Sequence, residues 1–206
     1  CINRKAPQNV ADSLLSDGFR GVASNWFRQG ADGLFFWNLG TPFEFKTGEE
    51  LKFIRGRYYE TLTHLGDPRQ MVYRDKIFGT DGPVLSYYTH ISSRPTVPLP
   101  LPPGTTAWLD VAVADDVQAA VKAGKVKAIQ LKTRWAGEGD VGQVKMWLGG
   151  EPLNDVERTA EKSTSCSVPP QSVVQGVNRL AVSLPDAETA GSLQLKEVRL
   201  WLRYNQ

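Results

Sequence analysis

Cysteine, histidine and methionine are scarce in this sequence, which contains two of each. Cys1 and Cys166 stand far apart, unlike the ligands of a metal site, so we expect two thiols that are free or variably oxidised. His64 and His90 have no partner at the spacing of a metal centre or a catalytic triad. There is also no glycine-rich phosphate loop and no nucleophile elbow. The sequence therefore predicts neither a metal nor another cofactor.

The sequence also has no large excess of positive or negative charge and no long apolar run. The net charge is +2, and lysine and arginine are scattered along the chain, which argues against nucleic acid or a membrane surface as a partner. No apolar run approaches the roughly 20 residues of a membrane helix, and no signal-peptide pattern opens the sequence. Because the chain begins at Cys1 without an initiator methionine, we expect it to be processed or cut from a longer protein.

The first third of the chain has the pattern of helix, strand and helix. From Asp12, apolar residues recur at helical spacing until Gly30, which suits a C-terminal cap. The apolar run from Gly33 to Trp37 is typical of a strand buried on both faces, as in a parallel sheet. A capping box at Thr47–Glu50 then predicts a second helix, which ends at Gly66.

The next stretch changes from helical to extended character. Asp67-Pro68 has the form of an N-cap followed by proline, and predicts a short helix that runs to about Phe78, with Met71, Val72 and Ile77 buried. Residues 93–104 contain five prolines and are predicted to be a linker.

Beyond the prolines, apolar residues alternate with polar ones, which predicts half-buried strands in an antiparallel sandwich. The residues predicted to face its core are Leu109, Val111, Val113, Ile129, Leu131, Thr133, Trp135, Val144, Met146, Leu148, Leu180, Val182 and Leu184. In the last strand the phase slips at Lys196-Glu197, which predicts a β-bulge. One short helix is expected near Val117–Ala123.

Several of these segments resemble a known family. Gly21–Asn38 resembles the last helix–strand step of a glycoside-hydrolase-type (β/α)8 barrel, with its Gly-Ala-Asp-Gly, aromatic strand and asparagine. Leu65–Pro68 and Tyr73–Lys76 resemble the terminal barrel helix and the exit from it. Residues 96–206 resemble the C-terminal β-sandwich of bacterial glycoside-hydrolase-like proteins; the matching segments are Leu109–Asp116, Gly176–Leu180 and Leu195–Leu200.

The resemblance implies an α+β chain with two folded parts. Residues 1–92 would be the terminal helix–strand–helix units of a (β/α)8 (TIM) barrel, and 93–104 a proline-rich linker. Residues 105–206 would be an antiparallel β-sandwich of the jelly-roll or galactose-binding type. An incomplete barrel leaves the Gly33–Trp37 strand with an open edge, which predicts a homodimer or a missing N-terminal polypeptide.

By the same resemblance, the parent protein would hydrolyse glycosidic bonds in a polysaccharide or glycoside and be secreted or periplasmic. A complete barrel takes about 250 residues, so at most its last two units are present, and the catalytic carboxylates are expected upstream. The acidic residues of the first part are explained without catalysis: Glu49 and Glu50 as charges at a helix N-terminus, Asp32 as a turn residue, while Glu44 is a candidate only by being acidic. The catalytic residues are unknown, and this chain alone is expected to be inactive.

Trp37 and Asn38 are the main candidates for substrate binding. At the mouth of a barrel an indole can stack on a sugar ring and an amide can bind its hydroxyls. Phe43 and Phe45 are candidates for the same rim. The alternative is structural: Trp37 packs in the core, Asn38 forms a turn, and the phenylalanines hold their loop in place.

The sandwich offers a second candidate set, Trp147, Arg199, Trp201 and Arg203, on faces opposite the aliphatic core. These residues are predicted to form either a sugar platform or a contact surface on which arginine stems cover the indole. The rival of the glycosidase interpretation is thus a non-catalytic carbohydrate-binding or purely structural module. Exposed aromatics in a row on one face would favour binding, and a buried Trp201 would favour a scaffold. Asp115-Asp116 is either a calcium ligand pair or a turn and helix N-cap.

Overall fold

The computed structural model describes residues 12–34, 62–81, 97–159, 161–186 and 191–205. Within these ranges every strand pair is antiparallel, and the strands form two sheets that pack as a β-sandwich. The described part is therefore a β-rich α+β fold, as the alternating patterns predict. A barrel unit is not seen in it: Gly33 and Leu34 are not in a strand, and Phe35–Trp37 lie outside the described residues. The barrel and its open edge stay a prediction.

The described elements follow one another along the chain with two α-helices and ten strands. They are α1 (Asp12–Arg28), β1 (Lys76–Asp81), β2 (Leu99–Leu101), β3 (Thr106–Val113), α2 (Val117–Lys122), β4 (Val126–Gly137), β5 (Lys145–Leu148), β6 (Glu151–Pro152), β7 (Glu157–Arg158), β8 (Ser163–Ser167), β9 (Gly176–Ser183) and β10 (Leu193–Tyr204). Short 3-10 turns lie at Pro68–Met71, Val141–Gln143 and Pro170–Ser172. The two predicted helices at Asp12 and Val117 are confirmed.

The strands divide into a larger and a smaller sheet. Sheet A has the order β1-β10-β4-β8-β7, and β2 pairs with the first part of β10. Sheet B has the order β3-β9-β5-β6. The long strands β4 and β10 form the centre of sheet A, whereas β9 lies between β3 and β5 in sheet B.

The core lies between the two sheets and is built from the inward residues of the alternating patterns. All the positions predicted to face it are buried, from Leu131 on β4 to Leu180 on β9. Alternation produces this result because successive side chains of a strand point to opposite faces. The predicted bulge is confirmed: the register of β10 against β4 shifts between Leu195 and Glu197, so both halves of β10 keep their apolar residues inside.

The stretch after Asp67 differs from its prediction. Asp67 does cap a helical turn by accepting from the Arg69 amide at 2.9 Å, and Met71 is buried. The turn ends at Met71, however, Val72 is exposed, and Ile77 and Phe78 lie in strand β1. Pairing with β10 overrides the helical spacing, because a strand here buries Ile77 and Phe78 on its two faces.

Helix α1 lies against β1 at an unusually close approach. An added Cβ at Gly21 would sit 1.9 Å from the Ile77 carbonyl oxygen, so only glycine allows this distance. Further along the helix, the Asn25 amide donates to the Ala112 carbonyl of β3 at 3.0 Å. The buried helix face centres on Ala23, whereas Trp26 is 42% exposed.

The proline-rich segment contributes to the sandwich at its C-terminal end. Leu99–Leu101 pairs with Leu195–Leu193 of β10, and Val97 and Leu101 belong to the core. Likewise, β1 comes from the part of the chain that resembles the barrel exit, yet it pairs along six residues with β10. Segments on both sides of the prolines therefore belong to sheet A.

Candidate functional site

The predicted barrel-mouth site cannot be placed. Trp37, Asn38, Phe43 and Phe45 all lie outside the described residues, and so do Glu44, Glu49, Glu50 and His90. Their proposed roles stay predictions. Among the described candidates from the same region, Asp32 is exposed, and the His64 Nδ1 atom lies 3.1 Å from the Gln70 side-chain oxygen.

Trp201 lies on the outer face of sheet A, where its ring is covered. The Lys132 ammonium is 4.8 Å from the centre of the indole, and the Arg203 guanidinium is 4.5 Å from it. Only 7% of the residue is exposed, and its buried indole N–H has no hydrogen-bond partner among the described residues. The ring therefore offers no open face to a ligand, and cation–π contacts hold the two basic side chains over it.

Arg203 continues this closed surface toward α1. Its guanidinium binds the carboxylates of Asp17 and of Asp75, the latter at 2.8 Å, and Asp17 also pairs with Arg20. Burial raises the pKa of Asp17, against the opposing effect of the two arginines. Arg199 is held separately by Glu197 at 2.6 Å. The outer face of sheet A near α1 is thus occupied by paired charges.

A second closed cluster joins β1, β10 and the segment between β3 and α2. The Lys76 ammonium is 1% exposed; it lies 2.8 Å from the Asp115 carboxylate and donates to the Met71 carbonyl at 2.6 Å. The Tyr204 hydroxyl binds the same carboxylate at 2.5 Å. Burial lowers the pKa of Lys76 and raises the pKa of Tyr204, and Asp115 opposes the first shift and adds to the second. With Lys76 inaccessible, this cluster joins three elements and presents no reactive group to a substrate.

The tryptophans of sheet B have a different environment. Trp108 on β3 and Trp147 on β5 both point away from the core, because their neighbours Leu109 and Leu148 are buried in it. Both are paired with Ala181 of the intervening strand β9, so the three residues form one row across the sheet. Trp108 is 60% exposed and Trp147 is partly buried. We call this row, with the residues that flank it, the tryptophan face.

Polar side chains flank the row on both sides. One neighbouring row consists of Thr106, Ser183 and Lys145, which are also in cross-strand register. On the other side Arg179 forms an ion pair with Asp110 at 3.1 Å, and both side chains are largely exposed. Two indoles with hydroxyls and a paired charge around them combine stacking surfaces with hydrogen-bonding groups.

An open cleft of about 920 Å³ adjoins the tryptophan face at Trp147. Besides Trp147, its walls include Lys145, Pro152, Asn154 and Arg158. Pro152 of β6 is in register with Trp147, so the cleft continues the row beyond β5. The row and the cleft therefore lie next to each other on one side of the sandwich.

The four sandwich residues predicted as one set are therefore not brought together. Trp147 belongs to sheet B, while Arg199, Trp201 and Arg203 belong to β10 of sheet A, on the opposite side of the core. Sequence reasoning also missed Trp108. Its signal was present, since the alternation of Leu109, Val111 and Val113 places Trp108 on the outer face, but which strands are neighbours was unknown.

The Asp115-Asp116 pair has structural partners. Asp116 caps α2 by accepting from the Ala119 amide at 2.9 Å, and Asp115 binds Lys76 and Tyr204. The two carboxylates thus serve different elements, as the turn and N-cap alternative requires. No group of three or more potential metal ligands comes together in the described part of the chain.

Comparisons with known proteins add no identification. No protein-family model matches the chain, and no curated protein matches it either. Among the described residues, no helix combines the length and the apolar character needed to cross a membrane.

Proposed function

We propose that this chain is a non-catalytic carbohydrate-binding β-sandwich module and that the tryptophan face is its binding surface. The observation that carries the proposal is the cross-strand row of Trp108, Ala181 and Trp147, in which two outward indoles flank a small residue. Indole faces stack on the apolar faces of sugar rings, and the flanking hydroxyls and charged groups suit hydrogen bonds to sugar hydroxyls. A single exposed indole is ordinary on a protein surface, whereas two indoles aligned in one row with polar residues around them favour a binding site.

The wider context rests on the resemblance to glycoside-hydrolase-like proteins. In this proposal the chain is the C-terminal part of a secreted or periplasmic parent that hydrolyses glycosidic bonds, and the sandwich holds the parent on its polysaccharide. Catalysis would belong to carboxylates upstream of this chain, where the resemblance puts them. The charged groups that are buried within the described residues are paired: Lys76 with Asp115, and Asp17 with Arg20 and Arg203.

The test is a binding assay with the complete 206-residue chain. The protein is mixed with insoluble cellulose, chitin, xylan and starch, and its loss from the supernatant is measured. We expect retention on at least one polysaccharide and its loss in Trp108→Ala. Trp26→Ala is the matched control, because it removes another exposed tryptophan, which lies on α1 and outside the tryptophan row. Equal retention of the two variants, or no retention of the unmodified chain, would contradict the proposal.

The same samples test the enzymatic alternative. We expect no release of reducing sugar ends, because a glycosidase needs two positioned carboxylates and the resemblance puts them upstream. Release of sugar by the purified chain would show that its own carboxylates are sufficient. Glu44, Glu49 and Glu50 would then be the first residues to replace by glutamine.

A further inference from the structure

We infer that the tryptophan face takes an uncharged, extended polysaccharide chain that runs across the strands, from Trp108 over Ala181 to Trp147 and on into the adjoining cleft. The inference rests on the proposed function, and it specifies the class of glycan, its direction on the sheet and the minimum length that it needs.

The direction follows from the register. Trp108, Ala181 and Trp147 lie at matched positions of three neighbouring strands, so the line that joins them is perpendicular to the strands. Two strand spacings separate the tryptophan backbones, roughly 10 Å. One sugar ring is too short to stack on both indoles, whereas successive rings of an extended chain can do so. Ala181 between them leaves the path unobstructed.

The surface at each end of this line differs. Trp108 lies on β3, which is an edge strand of sheet B among the described residues, and its side chain is exposed there. Beyond Trp147 the path meets Pro152 and then the cleft, where Asn154 and Arg158 present polar groups. A glycan that covers both indoles therefore has a continuation at the β5 side, and longer chains gain further contacts there.

The charge of the surface indicates an uncharged glycan. Acidic polysaccharides are bound through clusters of arginine or lysine that match their carboxylates or sulfates. On the tryptophan face the Arg179 charge is compensated by Asp110 at 3.1 Å. Among the described residues, Lys145 of the neighbouring row and Arg158 of the cleft form no ion pair, but Asp155 and Glu157 line the same cleft and balance their charge. Hydroxyl groups of Thr106 and Ser183, by contrast, suit the hydroxyls of a neutral sugar.

The first measurement is a length series. Cello-, xylo- and chito-oligosaccharides from disaccharide to hexasaccharide are titrated into the full chain by calorimetry. For the sugar type that binds, we expect affinity to rise with length and level off once both indoles and the cleft are covered. Trp108→Ala and Trp147→Ala should each weaken hexasaccharide binding by about tenfold or more, the size expected for the loss of a central aromatic contact. Each variant should change disaccharide binding much less, because a disaccharide can use the remaining indole.

The second measurement tests charge. Binding of the hexasaccharide should be unchanged between low and high salt, since salt screens charge attraction and leaves stacking in place. Polygalacturonic acid should not bind. Val177→Ala, which removes an exposed apolar side chain of the same sheet outside the row, should bind like the unmodified protein and thereby controls for loss of fold.

The outcomes distinguish carbohydrate binding itself from the specific binding of an uncharged, extended chain. Binding without length dependence, or salt-sensitive binding of polygalacturonic acid, overturns this inference and leaves carbohydrate binding intact. Absence of binding to every glycan overturns both. A dimer in sedimentation that Trp108→Ala dissociates, without glycan binding, would show that the face is an interface between two copies of the chain.

Discussion

Both outer faces of the sandwich carry a tryptophan, but the side chain is covered on one face and exposed on the other. Trp201 on β10 and Trp108 on β3 both point away from the core, yet Trp201 is 7% exposed and Trp108 is 60% exposed. The difference comes from what lies next to them. Arg203 covers Trp201 and is itself bound by Asp17 of α1, whereas β3 is an edge strand whose tryptophan stays open. An outward tryptophan is thus a packing residue on one face and a candidate binding residue on the other.

The comparison also extends to charge. Lys76, which is in register with Leu202 on the inner face of sheet A, pairs with Asp115 away from water, whereas Asp110 and Arg179 on sheet B form an exposed pair. Exposed pairs contribute little to stability, while breaking a buried pair leaves an uncompensated charge. The sheet A side should therefore dominate stability and the sheet B side should dominate binding.

Replacement of the two tryptophans gives the largest contrast. Trp201→Ala should lower the free energy of unfolding by about 3–5 kcal/mol, because it empties a covered site. Trp108→Ala should change it by no more than about 0.5 kcal/mol, as expected for an exposed residue, and yet weaken hexasaccharide binding by about tenfold or more. Chemical denaturation of both variants makes the measurement. If the two variants had equal free energies of unfolding, the two tryptophans would contribute equally to stability and the proposed difference between the faces would be wrong.

Removal of one partner from each ion pair gives the next contrast. Asp115→Asn should cost about 3–5 kcal/mol because it leaves Lys76 buried without its carboxylate. Asp110→Asn, the matched control, should cost less than about 1 kcal/mol. Denaturation at neutral pH distinguishes them, and a small loss in Asp115→Asn would mean that the backbone carbonyls alone can hold the Lys76 charge.

The pH dependence of the Asp115→Asn variant provides a second check. Burial holds the pKa of Lys76 below its ordinary value of 10.5. The unfolded chain therefore binds more protons between the folded pKa and 10.5, so stability rises with pH in that window. Without the carboxylate the folded pKa falls further, and the variant should regain more stability toward alkaline pH than the unmodified protein does. Parallel pH profiles of the two proteins would contradict this.

The reactivity of the Cys166 thiol measures how accessible the core is to reagents next to sheet A. It is buried on β8, and burial raises the pKa of its thiol to about 11. In a Cys1→Ser background the thiol should resist a disulfide reagent at pH 8 until denaturant is added.

The same thiol predicts a loss of stability at high pH. The contribution is present below the ordinary pKa of 9.0 and is lost as the pH rises to about 11. Because each pKa unit corresponds to about 1.4 kcal/mol, the loss relative to Cys166→Ala should reach about 2–3 kcal/mol. Identical alkaline profiles of the two proteins would show that the thiol is accessible.

The smallest effect concerns the docking of α1. Gly21→Ala should destabilise by about 1–3 kcal/mol, because its Cβ would meet the Ile77 carbonyl and force α1 away from β1. Gly18→Ala, in the same helix with open space around it, should stabilise by about 0.5–1 kcal/mol. Thermal unfolding of both variants gives the signs, and a neutral Gly21→Ala would mean that α1 is free to shift.

Much of the sandwich could be predicted because strand alternation is a local property. The inward residues of β3, β4, β5 and β9, the bulge of β10 and the short helix after Asp116 all follow from patterns a few residues long. The helix predicted to include Ile77 was wrong because the strand there depends on a partner that is distant in sequence. The helical spacing was satisfied locally, and only the presence of β10 as a partner made the strand more favourable.

The candidate site was predictable only in its parts. Alternation by itself puts Trp108, Trp147 and Trp201 on outer faces, because a strand sends every second side chain away from the core. It does not tell which strands are neighbours, since hydrogen bonds between strands join residues far apart in sequence. The pairing of β9 with both β3 and β5 assembled the tryptophan row, and Lys132 together with Arg203, which Asp17 of α1 binds, closed the other face. The sequence thus determined which residues leave the core, and the tertiary structure decided which of them remain exposed, because exposure depends on contacts with distant segments.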